Sequence, residues 1–460
     1  MRGPIYLSAD IRRIEQALAD ASPPLMERAG AAAAALAARI ASEKSKDVLV
    51  LAGPGNNGGD ARVVARLLGD KFFRVTVATK VAEVPERAWG LVVDGLFGIG
   101  LARDLSGDYA ALVHYANRQA CPVLALDVPS GLDADTGRVL GCAVRATHTV
   151  TFIALKPGLL TLDGPDHCGQ IELADLGLDS SQRPPPAAWI AHPDSFRNAL
   201  KPRPARFHKG MAGTLAVLGG TSGMTGAPLL AARAALRLGA GRVRVGFLDE
   251  RHPPVDPYAA ELMLGDADAV LGMDFDAAVV GPGLGTSERA ETLLAAVLAS
   301  DVPCVLDADA LNLIAQSADL RKACARRSPD TLLTPHPAEA GRLLAESTET
   351  IQRDRVAAAR NLSKHFNAHV VLKGNGSILV ARDGHWFINT SGNPGMASAG
   401  MGDVLAGMLG ALLAQGYTGE TALVLGTHLH GAAGDKLVQK VGMTASEVID
   451  AARQLWNEWL

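Results

Sequence analysis

The amino-acid sequence predicts an α/β protein built as two three-layer α/β/α domains, each a parallel sheet covered by helices on both faces. Three observations predict it. Short β-branched runs alternate with helical stretches of ten or more residues, the pattern of a sheet buried on both sides. The 460 residues exceed one ordinary core. The alternation stops once, between Ser180 and Lys209, where proline and arginine gather in "SSQRPPPAAWIAHPDSFRNALKPRPARFHKG", read as a connection without a strand. A 4% aromatic content, with Ala, Gly, Val and Leu dominant, suits close helix-on-sheet layers.

In chain order, "MRGPIYLSADIRRIEQALAD" mixes charges into every turn and carries no apolar core of a signal peptide. The alanine-rich stretch 29–41 is too short to span a membrane, and Arg28 and Arg39 flank or enter it, so a buried helix is expected. The first block then places strands at "DVLVLAG", "FRVTVAT", "GLVVDGLFG", "CPVLALDVPSG" and "HTVTFIA". Ligands of such sheets bind at the carboxyl ends of the strands, which here carry "GPGNNGGD", "DGLFGIGLARD" and "DVPSGLDAD". The second block places strands at "TLAVLGG", "RVRVGF", "AAVVGPGLG", "VPCVLDADA", "DTLLTPHPAE" and "HVVLKGNGSILVA", and closes with helices from Gly402 onward. No internal duplication joins the blocks.

A net charge of −4 with scattered basic residues argues against a nucleic-acid partner. Five widely spaced cysteines without a C-x-x-C pair point to a reduced, cytoplasmic setting and away from structural zinc. His428 and His430 lie two apart, which splays them on a helix and makes them poor metal partners.

Gly53, Gly55 and Gly58 fit the dinucleotide spacing G-x-G-x-x-G, but the next strand ends in Thr79 and Lys80 instead of the acidic residue that would hold a ribose. A dehydrogenase is therefore disfavoured. The turn offers oxygen instead: Asn56 or Asn57, with Asp94, Asp127 and Ser130 at neighbouring strand ends, could surround a hard cation. The plainer alternative is that the asparagines cap the following helix or tolerate unusual turn dihedrals. In the second block, "SAGMGDVLAG" runs a glycine-rich turn into an apolar helix. The amides of Gly400 to Gly402 could face a transferring phosphate while Asp403 faces an acceptor hydroxyl, unless Asp403 is only a helix cap.

The motifs "LMERAG", "GPGNNGGD", "DGLFGIGL", "DVPSGLDADTG" and "ALKPG" make residues 1–182 resemble the NAD(P)HX epimerase family, the Rossmann-like YjeF N-terminal domain. Residues 183–460 resemble the ADP-dependent (S)-NAD(P)HX dehydratases, a ribokinase-like family, through "HKGMAGTLAVLGGTSGMTGAP", "GPGLG", "VLDADALN", "TPHPAEAGRLL", "VLKGNGSILV" and "NPGMASAGMGDVLAG". The resemblance implies epimerisation of hydrated NADH or NADPH (NADHX, NADPHX) and dehydration of the S epimer at the expense of ADP. It places potassium among Asn57, Asp94 and Ser130. The epimerase substrate would meet Asn56, Asn57, Gly58, Gly59 and Asp60, then Gly98, Ile99, Gly100, Leu101, Ala102, Arg103 and Asp104, and finally Asp127. As a carboxylate at a strand end, Asp127 is the candidate proton shuttle. In the second domain the nucleotide would meet Lys373, Gly374, Asn375, Gly376, Ser377 and Gly402, and the substrate Ala227, Gly283, His336 and the catalytic Asp403. His336 has a structural alternative, shaping the turn "TPHPAE". Magnesium would arrive with the nucleotide phosphates. A cytoplasmic homo-oligomer without nucleic-acid or membrane partners is expected. Ala61, Ile99 and Met401 depart from the families' usual residues, and the bulk of Met401 raises a question about nucleotide affinity. The competing reading is a ribokinase-like small-molecule kinase carrying a noncatalytic N-terminal binding module.

Overall fold

A computed structural model describes residues 3–42, 45–200, 202–438 and 441–460. The chain divides into two compact units, Met1–Ile190 and Ala191–Leu460.

In the first unit six parallel strands lie in the order Arg74–Ala78, Asp47–Ala52, Leu91–Gly95, Val123–Leu126, His148–Phe152, Gln170–Ala174. After Asp47–Ala52 the chain first adds a strand on one side and then returns to the other. Strand order therefore reverses beside that strand, which opens a crevice at its carboxyl end. Val48, Leu49, Val50 and Leu51 are all fully buried, as expected where helices cover both faces. The alanine-rich segment is the helix Leu25–Ser42, and Ala33, Ala37 and Ala41 are fully buried. It packs on the helix Asn56–Asp70 at close range, because a Cβ on Gly30 would fall 2.3 Å from Val63 Cγ1. Among the described residues no helix is long and apolar enough to cross a membrane.

The connection expected to lack strands contains one, Ala188–Ile190, paired antiparallel with Pro4–Ile5. Its burial alternates over three residues, with Trp189 outward, and three residues are too few to show a period in sequence.

In the second unit the parallel strands run in the order Met263–Asp266, Arg242–Phe247, Thr214–Gly219, Ala277–Val280, Cys304–Leu306, Thr331–Leu333, His369–Leu372. Order reverses again, here at Thr214–Gly219. The run "HVVLKGNGSILVA" is two antiparallel strands, His369–Leu372 and Ser377–Val380, with "KGNG" as the turn between them, and Trp386–Asn389 continues the sheet. The helix Met401–Ala414 is buried along nearly its whole length and packs against Gly226–Arg237 and Gly419–Leu437.

Candidate active sites

In the first unit the sequence places chemistry at three adjacent strand ends. Asp127 follows the strand Val123–Leu126 in a left-handed conformation, φ +64°. Its carboxylate is ion-paired with Lys156 Nζ and accepts from Phe152 N at 3.3 Å and Thr151 Oγ1 at 3.4 Å. Lys156 is fully buried, and its ammonium also donates to Thr151 Oγ1 at 2.9 Å and to the Phe152 carbonyl at 2.8 Å. A buried charge persists only when paired and hydrogen-bonded, and this one is both.

Asp60 is the fifth residue of the helix Asn56–Asp70. Burial, reinforced by the charges of Asp127 and Glu15, pushes its carboxyl up to about 8, which favours the protonated acid. Glu15 comes from the helix Ser8–Ala17, and burial followed by Asp127 raises it too. The same helix reaches the "DGLFGIGLARD" loop through Arg12, which donates to the Ile99 carbonyl at 3.0 Å. Within that loop Gly98 lies between two predicted site residues, since a Cβ there would be 3.2 Å from Asp127 Oδ2 and 3.4 Å from Asn57 Cγ. Gly100, Ala102, Arg103 and Asp104 stand exposed on the rim, as does Asn56.

Neither asparagine caps the helix: Gly55 occupies that position, and it forms no side-chain cap bond. Asn57 is instead buried with Nδ2 and Oδ1 both lacking a partner among the described residues. Nearby, Asp94 is fully buried and accepts from Ser130 N at 2.8 Å and Ser130 Oγ at 2.6 Å. Burial pushes Asp94 up to about 6, against the pull of those bonds. An unpaired amide oxygen and a buried carboxylate–hydroxyl pair form a donor set of oxygens, which fits a hard monovalent cation such as potassium. Ala61 is fully buried in the helix with no positive φ, so the departure there costs nothing in backbone strain.

In the second unit Asp403 lies in the first turn of Met401–Ala414, entered through Gly400 at φ +89°. Burial, then the neighbouring Asp307, pushes Asp403 up to about 7, and Lys373 opposes them. Lys373 Nζ lies 2.9 Å from Asp307 Oδ1 and 4.0 Å from Glu339 Oε2. Although burial disfavours its charge, Asp307 and Glu339 hold the ammonium above its ordinary range. Gly402 sits against this pair, for a Cβ there would be 3.3 Å from Lys373 Nζ and 3.6 Å from Asp307 Oδ2.

The turn Gly374–Gly376 is organised from below by buried Arg355, which donates to the carbonyls of Asn375 at 3.1 Å and Leu372 at 3.3 Å. Gly374, at φ +144°, leaves that guanidinium room: a Cβ would be 2.7 Å from it. Ser377 Oγ closes the turn by donating to the Gly374 carbonyl at 3.0 Å. Gly283 and Ala227 are neighbours, with 3.5 Å between a Cβ on the glycine and the alanine's own. His336 shapes the turn with one side of its ring and leaves the side chain 47% exposed: its Nδ1 accepts from Ala338 N at 3.1 Å and Glu339 N at 3.3 Å, capping the helix Pro337–Leu344. Burial, then Lys373, lowers its pKa. Met401 is buried in the core, so its bulk points away from the turn while its amide stays at the helix start. His428 and His430 are both pushed down to about 4 by burial. Among the described residues no group of three His, Cys, Asp or Glu side chains could hold a metal ion.

Residues 215–454 match the family described as NAD(P)H-hydrate dehydratase, and residues 22–89 and 79–158 match that of the YjeF-related protein N-terminus. The bifunctional NAD(P)H-hydrate repair enzyme of Escherichia coli is 37% identical, over 98% of this chain and 94% of its own. This chain belongs to that family of bifunctional repair enzymes. The repair enzyme of Coxiella burnetii is 36% identical over 98% of this chain and 99% of its own. Among solved structures, the ADP/ATP-dependent NAD(P)H-hydrate dehydratase of Bacillus subtilis, co-crystallised with ATP and Mg2+, is similar with TM-score 0.53 and 29% identity. It covers 59% of this chain and 98% of that one.

In this repair-enzyme chain three residues without a predicted role join the sites. Lys156 stood inside "ALKPG" and Asp307 inside "VLDADALN", so both were visible as motif letters without a chemical reason attached. Glu15 precedes the matched segment, and no spacing in the sequence links it to Asp127.

Proposed function

We propose that the chain epimerises hydrated nicotinamide cofactors in its first domain, residues 1–182, and dehydrates the S epimer with ADP in its second, residues 183–460. The observation that carries this reading is the pair of unlike carboxylate sites within one chain. Asp127 is ion-paired beside Asp60, a carboxyl that burial pushes up to about 8. Asp403 is poised near 7 where a glycine turn opens a helix.

The inverted carbon bears a hydroxyl and is bonded to the ring nitrogen. Epimerisation breaks the bond from that carbon to the ring nitrogen as the hydroxyl loses its proton, the carbonyl forms and the nitrogen gains a proton; closing the ring on the other face of the carbonyl reverses each transfer. Asp127 takes and returns the hydroxyl proton, and Asp60 gives a proton to the ring nitrogen and recovers it. Asn57, Asp94 and Ser130 would hold potassium, which supplies a fixed positive charge for the substrate's anionic groups. Gly98 leaves open the space between Asp127 and Asn57.

In the second domain Asp403 accepts the proton of the substrate hydroxyl as that oxygen bonds to the terminal phosphorus of ADP. The bridging P–O bond breaks, and AMP leaves with its electron pair. The amides of Gly400 to Gly402 and the Lys373 ammonium face the charge that develops. The ring nitrogen's lone pair then expels phosphate, and the adjacent carbon loses a proton to restore the dihydronicotinamide. The turn Lys373–Ser377 holds the nucleotide, and Ala227, Gly283 and His336 border the substrate. Five free thiols fit a reducing, cytoplasmic setting.

The test is recovery of reduced-nicotinamide absorbance from mixed-epimer NADHX given protein, potassium, magnesium and ADP. Full recovery is expected. Recovery of one epimer only removes the epimerase assignment, and a phosphorylated product that persists without elimination establishes the kinase reading instead.

A further inference from the structure

We propose that Asp307 is a positioning residue for phosphoryl transfer: its buried carboxylate fixes the Lys373 ammonium beside Gly402, at the start of the helix that carries Asp403. The inference rests on the dehydratase reading of that site.

Asp307 is set rigidly before it meets Lys373. It follows the strand Cys304–Leu306 inside the parallel sheet, is 2% exposed, and its amide donates to the Val280 carbonyl at 3.1 Å. Its neighbour strand approaches so closely that a Cβ on Gly281 would fall 1.8 Å from the Asp307 carbonyl oxygen. Thr334 Oγ1 donates at 2.7 Å to Oδ1, the same oxygen that accepts from Lys373 Nζ at 2.9 Å. The carboxylate is thus oriented by a hydroxyl and a sheet, and the lysine by the carboxylate.

The lysine needs such a hold. An ammonium on a four-carbon stem is a mobile point charge, and holding it where charge develops removes the reorganisation that would otherwise accompany the reaction. Its backbone is tied by the bond from Lys373 N to the Pro335 carbonyl at 2.9 Å, and Glu339 stands 4.0 Å from Nζ. The remaining side of the ammonium faces Gly402.

One other role for Asp307 fits less well. As a metal ligand it lacks companions, since no cluster of three suitable side chains exists among the described residues. The nearby Asp309 is already engaged, accepting from Gly285 N at 2.8 Å and Asn312 Nδ2 at 3.3 Å.

The experiment is a double-mutant cycle on the full chain, D307N, K373A and both together, read as ADP-dependent dehydration of the S epimer. Epimerase activity of the same preparations serves as the folding control. D307N is expected to lower kcat about 30-fold or more while KM for ADP moves less than about threefold, the signature of a lost transition-state interaction. The double variant should be no slower than K373A beyond about twofold, because a residue acting through lysine has nothing left to do without it. Additive losses, or a loss confined to KM, overturn the proposal. If D307N fails to fold, T334V carries the test: a smaller kcat loss that disappears in the K373A background is expected, and one that persists overturns it. A wild-type chain without ADP-dependent dehydration would instead sink the dehydratase reading itself.

Discussion

Each unit contains a lysine paired with a buried aspartate, but the two pairs are wired differently. In the first, Lys156 binds Asp127, the carboxylate proposed to carry the proton. In the second, Lys373 binds Asp307 and leaves Asp403 with a raised affinity for its proton. The chemistry accounts for the difference. Epimerisation returns the proton it removes and transfers no charged group, so a cation bonded to the working carboxylate serves to hold it in place. Phosphoryl transfer brings anionic oxygens into the site, so the cation must stay available to them and the base must be a separate residue.

The largest effects come from removing each working carboxylate in turn. D127N should cut epimerase activity by about 10²–10⁴-fold and leave ADP-dependent dehydration of pure S epimer intact, and D403N should do the converse. Separate assays with the two pure epimers measure both. A variant that damages both activities would break the division into independent sites.

The next effect concerns the lysines themselves. K156M leaves Asp127 enclosed without its counter-charge, and breaking a buried pair from one side costs about 3–5 kcal/mol. Lys373 is 22% exposed, so water can partly replace it and K373M should cost clearly less. Denaturant unfolding of the two variants gives the comparison, and equal losses would contradict the difference in burial.

How much of this was legible in sequence follows from the length scale of each signal. Both sheets could be read because runs such as "DVLVLAG" and "AAVVGPGLG" are apolar throughout, whereas the three-residue strand Ala188–Ile190 could not. The candidate site residues at strand ends, Asp94, Asp127 and Ser130, follow from where such sheets bind ligands. Lys156 and Asp307 do not, because their meaning lies in a partner 29 and 66 residues away. The cap reading of the asparagines failed for a local reason: the helix starts one residue early, at Asn56, which turns Asn57 inward.

A smaller effect separates the acids by pH. Asp403 is near 7 and Asp60 near 8 when folded, against an ordinary 3.8, so the folded chain holds these protons more tightly than the unfolded one. The stability tied to each protonated form is full below the unfolded value and is lost as pH rises through the folded one. D403N should therefore stabilise the chain at pH about 8, by on the order of 2 kcal/mol, and have no such effect near pH about 4. The dehydratase rate of the unaltered chain should climb through pH about 7 as Asp403 becomes a base. A pH-independent gain from D403N would mean that Asp403 destabilises by shape instead of charge.

The last prediction turns on which site carries its own cation. The second has Lys373 at the helix start, but the first has enclosed an amide, Asn57, whose two polar atoms meet no partner among the described residues. Leaving such a group unsatisfied costs about 1–3 kcal/mol, and a potassium ion on Oδ1 would recover part of it. Potassium should then raise the unfolding temperature of the unaltered chain and stimulate its epimerase about tenfold, an effect worth about 1.4 kcal/mol, while leaving dehydration of pure S epimer unchanged. N57A should lose both responses, whereas N56A, altered at an exposed position, should keep them. Because N57A also removes the unsatisfied group, its potassium-free stability should fall less than the loss of a buried side chain ordinarily implies. Titrations with potassium against sodium, read by calorimetry and by epimerase rate, decide the matter: a potassium response that survives in N57A would place the ion elsewhere and leave the buried amide unexplained.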